Sequence, residues 1–97
     1  MNKKEEQLVR QLQVVIKKLE EDYSNEITYG GIIKDIYIRY KSAESILDNE
    51  GETKSIFIEG STRDYLDSFS DYNNPLLSEM WKAEKLLSEL RKENSND

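Results

Sequence analysis

Apolar positions recur every three or four residues along most of the chain, and that spacing predicts helices. Leu8, Leu12, Val15, Ile16, Leu19 and Tyr23 keep one stripe of an α-helix turned inward, which predicts a first helix from about Lys3 to Tyr23. Ser24, Asn25 and the Gly30-Gly31 pair then supply turn chemistry. Tyr29, Ile32, Ile36, Tyr40, Ala43 and Leu47 repeat the spacing and predict a second helix, with Gly51 placed to stop it. The β-branched and aromatic residues of IIKDIYIRY favour a strand, but alternation does not persist past Tyr40, so helix is the better assignment.

Residues 49–60 hold an acidic half and then the short apolar run Ile56-Phe57-Ile58, which reads as a loop with an extended tip. Ser61 followed by Asp64 resembles a capping box with a shortened acid, so a helix is expected from about Thr62. Within DYLDSFSDY, residues 64–72, helical spacing sets Tyr65, Phe69 and Tyr72 on one face and Asp64, Asp67 and Asp71 on another. The aromatic set, with Tyr23, Tyr29 and Tyr40, is expected in the core.

Asn74 and Pro75 form a cap and a first helical residue, yet Leu76, Met80, Ala83, Leu87 and Leu90 continue the preceding stripe almost in phase. The expected fold is therefore a single all-α domain over residues 1–97. It is a small antiparallel three-helix bundle whose third helix is long and kinked near Pro75, or is broken there to give a four-helix bundle. The polar tail 91–97 is expected to fray.

Charge and composition narrow the function. Twenty acidic against 14 basic residues, a net charge of −6, speak against a phosphate-backbone binder, so nucleic acid is not expected as a partner. The chain has no cysteine and no histidine, which removes disulfides, thiolate metal sites and the commonest general base. YGGII lacks the glycine spacing of a phosphate loop. Asp48, Glu50, Glu52 and Glu59 match several positions of a calcium loop, but Thr53 occupies the place that needs glycine. No catalytic, cofactor-binding or metal-ligating residue is assigned. Lys3 and Lys4 are followed by Glu5 and Glu6 where a signal peptide needs an apolar stretch, and no apolar run is long enough for a membrane span, so a cytoplasmic protein is expected.

What remains is surface. Asp64, Asp67 and Asp71 could line one side of a helix and meet a basic partner. Val14, Ile38, Leu77 and Trp81 lie off their own stripes. Leu77 and Trp81 are neighbours one turn apart, to be covered either by the Ile56-Phe57-Ile58 tip or by another protein. The outline of a small, acidic, helical chain resembles the helical-bundle immunity and accessory proteins of Gram-positive bacteria, a resemblance of size and charge alone. The expectation is a non-enzymatic bundle that binds another protein through Asp64, Asp67, Asp71, Leu77 and Trp81. Immunity against a toxin or bacteriocin is one alternative, and a structural homo-oligomer joined at Val14, Ile38 and Trp81 is another.

Overall fold

A computed structural model describes residues 2–95, with side chains described as far as residue 93. The all-α class holds: helices α1 (Lys3–Asp22), α2 (Ser24–Tyr29), α3 (Ile32–Asp48), α4 (Ser61–Phe69) and α5 (Pro75–Ser95) are joined by loops and one 3-10 turn, Thr53–Ser55. Asn2 starts α1 with a full capping box. Its side chain accepts from the Glu5 amide at 2.8 Å, and the Glu5 carboxylate accepts from the Asn2 amide. Leu8, Leu12, Val15, Ile16 and Leu19 are all buried, as their spacing requires.

The turn expected after Tyr23 is instead the short helix α2, because the backbone leaves the helical region only at Tyr23 itself, with φ −132°. Gly30 and Gly31 follow with φ of 104° and 99°, two consecutive values that side-chain-bearing residues rarely adopt, and these turn the chain into α3. At its far end α3 closes in a Schellman motif: the Gly51 amide donates to the Ile46 carbonyl at 2.7 Å and the Glu50 amide to Leu47 at 3.1 Å. The left-handed residue is Glu50, with φ 57°, not the glycine. Gly51 serves close approach, since a Cβ there would stand 2.8 Å from the Ile46 side chain. Glu50→Gly is accordingly expected to stabilise the fold by about 0.5–1 kcal/mol in urea denaturation, whereas Gly51→Ala is expected to destabilise it.

Helix α1 packs against α3 and α5, and α4 packs against the same two from the other side. The third helix does not continue through Pro75. The chain breaks between Phe69 and Pro75, so the four-helix arrangement replaces the kinked three-helix one. Ser70 ends α4 with φ 52°. Asn74 then caps α5, its Oδ1 accepting from the Leu76 amide at 2.9 Å, with Pro75 as first residue. Because α4 is short, the extended strap 56–58 fills the rest of its side: Ile56 and Ile58 are buried and Phe57 points out. The polar stretch from residue 91 is helical to Ser95, and residues 96 and 97 lie outside the described residues. Arg91 explains why that stretch holds. Its guanidinium donates to the Thr53 and Ile56 carbonyls and to Glu59, so the end of α5 clamps the strap.

Candidate docking surface

The three aspartates singled out from the sequence do not form one face, because α4 ends at Phe69 and Asp71 belongs to the loop beyond it. Asp64 turns to α3, where Arg39 donates to it at 3.0 Å and to the fully buried Ser61 hydroxyl at 3.2 Å. Ser61 is thus not the cap of α4. That role falls to Glu84 of α5, whose carboxylate accepts from the Gly60 and Thr62 amides at 2.9 and 3.1 Å and from the Thr62 hydroxyl at 2.6 Å. Of the three, Asp67 is exposed and, among the described residues, takes part in no ion pair.

Asp71 joins a polar knot that ties three elements together. The Tyr23 and Tyr65 hydroxyls stand 2.7 Å apart, and the Asn74 amide donates to Tyr23 at 2.8 Å, to Tyr65 at 3.0 Å and to Asp71 at 3.1 Å. Burial, followed by the hydrogen bond with Tyr23, raises the Tyr65 phenol above its ordinary pKa. This phenol stays protonated across the physiological range and acts as a structural group.

Leu77 is buried and cannot meet a partner. It lies two turns before Glu84 on the same side of α5, the side that α4 covers. Trp81 is 56% exposed, with the Lys85 ammonium 5.1 Å from its ring. The 56–58 strap does not cover it. Held by Glu84 at Gly60 and by Arg91 at Ile56, the strap runs alongside α5 beyond Trp81. Val14 on α1 and Ile38 on α3 are exposed, as is Trp81 on α5, so the three lie on three different helices.

The structure gathers something the local pattern hid. The body measures 41 × 24 × 18 Å, and at one end α1 closes, α2 turns, α3 opens, α4 closes and α5 opens. The segments that meet there, residues 20–35 and 64–78, carry eight acidic side chains and one basic one, Lys34. These segments sum to −7 against −6 for the whole chain, and with Lys17 and Arg39, which pair with Glu21 and Asp64 from just outside them, they still hold most of the negative excess. Asp22, Glu26, Asp35 and Asp67 are exposed there and, among the described residues, take part in no ion pair. The same end exposes aromatic rings expected in the core: Tyr29 at 86%, Tyr72 at 71% and Phe69 at 43%. Tyr40 and Tyr65 are the aromatic residues that the core fully buries.

At the opposite end an open cleft of about 750 Å³ is lined by Glu5, Glu52, Lys54 and Arg91 among others, a mixture of charges with no dominant sign. Among the described residues no group of three or more His, Cys, Asp or Glu side chains is placed to share a metal ion. Among those residues, too, no helix is long and apolar enough to cross a membrane.

A family model described as YeeD uncharacterised protein matches residues 2–94 of the chain. The uncharacterized protein YeeD of Bacillus subtilis (strain 168) is 31% identical over 91 residues, a match covering 86% of this chain and 88% of that one. No solved structure matches.

Proposed function

The chain belongs to the YeeD family of uncharacterised proteins, and we propose that it works by binding another protein, without catalysing a reaction, and that the partner presents a basic surface. One observation carries this reading: the acidic excess of the sequence is collected at one end of the bundle, where unpaired carboxylates and exposed aromatic rings share the surface. Like charges held together repel and cost stability, and exposed rings forgo burial, so the arrangement works against the fold in isolation. A basic partner offsets both costs, with charge speeding encounter and the rings supplying contact area. Asp67 is kept from the surface first read from the sequence, while Asp64, Asp71 and Leu77 serve the fold.

Matched baits test the reading. The chain and its Asp22→Asn, Glu26→Gln, Asp67→Asn variant, whose altered side chains are all exposed, are used to capture proteins from the source cell at low ionic strength. The expected result is a basic protein held by the first bait, released by salt, and lost or weakened at least tenfold with the second. Equal retention by both baits would overturn the proposal. Mass in solution that rises with concentration, and does so equally for both, would favour the homo-oligomer instead.

A further inference from the structure

We infer that the segment docking on the acidic end is rich in arginine and not in lysine, an inference that rests on the docking role proposed above. Unpaired Asp22, Glu26 and Asp67 supply charge, and charge alone does not distinguish the two cations. The rings do. Tyr29 and Tyr72 present most of their surface to solvent at the same end, and Phe69, the last residue of α4, is partly exposed with its ring tilted 4.9 Å from that of Tyr65. A guanidinium is planar and weakly hydrated, so it can lie on a ring while its edge forks to a carboxylate; an ammonium is a compact charge that keeps its water.

The chain builds this chemistry within itself. The Arg39 guanidinium sits 5.2 Å from the Phe57 ring centroid while donating to Asp64 and Ser61, so one cation serves a ring and a carboxylate at once. Lys85, over Trp81, reaches the ring but, among the described residues, forms no ion pair. Where a ring and a carboxylate lie one turn apart on a helix, as Glu26 and Tyr29 do on α2, arginine is the cation that can use both.

Homopolymeric arginine and lysine peptides of equal length, labelled for fluorescence anisotropy, provide the test on the full chain. The arginine peptide is expected to bind about tenfold tighter at equal salt. In the Tyr29→Ser, Tyr72→Ser variant that ratio is expected to fall close to one, with the lysine peptide's affinity unchanged. Circular dichroism of the variant serves as the folding control, and both replaced rings are exposed. Equal binding of the two peptides by the original chain, abolished by Asp22→Asn, Glu26→Gln, Asp67→Asn, would overturn the arginine inference and leave the docking role standing. A preference that survives loss of the rings would also overturn it. If neither peptide binds at low salt, the docking role itself fails.

Discussion

Replacing Ile58 by alanine is expected to destabilise the fold by about 2–5 kcal/mol, while Phe57→Ala next to it costs about 1 kcal/mol or less. The two residues are adjacent and similar in apolar content, so the contrast isolates direction. Ile58 has no exposed surface, and it closes the core where α4 is too short to do so. Phe57 is more than half exposed, with the Arg39 guanidinium 5.2 Å from its ring centroid. For a domain of this size, whose total stability lies in the range of about 5–15 kcal/mol, the first substitution removes a large share. Urea denaturation followed by circular dichroism reads both values, and the Ile58 variant is expected to move the midpoint at nearly constant slope. Equal costs at the two positions would show that the strap does not alternate in and out. Ile56→Ala is expected to behave like Ile58→Ala, and the double variant to fall short of the sum because the two side chains share one cluster.

How far the sequence disclosed this fold depends on how many faces each helix buries. α1 buries one, and Leu8, Leu12, Val15, Ile16 and Leu19 were all legible from spacing. Ile36, Tyr40, Ala43 and Leu47 of α3 follow the same logic. α5 buries two, since α4 lies against its flank, and periodicity tuned to one stripe leaves Leu77 looking exposed. The strap defeats helical spacing altogether, as its alternation lasts only three residues. Charged side chains were least legible. Arg39 reaches 25 residues along the chain to Asp64, Gly60 reaches 24 to Glu84, and Arg91 reaches back 38 to Thr53; no local motif records such pairings. The acidic end was hidden for the same reason. A window over DYLDSFSDY sees three carboxylates, but the surface is made when the segment around Asp22 and Glu26 is folded beside them.

That junction rests on Asn74, and Asn74→Ala is expected to cost about 2–3 kcal/mol, more than the ~1 kcal/mol of an ordinary N-cap. The excess comes from the other side of the amide. While Oδ1 caps α5 at Leu76, Nδ2 donates into the knot of Tyr23, Tyr65 and Asp71, joining the end of α1 to α4 and α5. Asn74→Asp separates the two jobs. Aspartate caps a helix about as well as asparagine, so the cap survives. The donor is lost, and a carboxylate is set where the Asn74 nitrogen now stands 3.1 Å from Asp71. Two carboxylates that close cannot both ionise without penalty, so the introduced acid binds its proton more tightly in the folded state than in the unfolded one. By linkage, the stability it carries is present at pH below the ordinary aspartate range and is lost as pH rises through its raised folded-state value. The Asn74→Asp variant is therefore expected to lie close to the original chain in acid and to fall behind it toward neutrality, whereas the deficit of Asn74→Ala stays nearly constant with pH. Urea midpoints for the three proteins across that range decide it. If Asn74→Ala costs only the value of a cap, and Asn74→Asp shows no added dependence on pH, the knot contributes nothing and the end of the bundle is held by core packing alone.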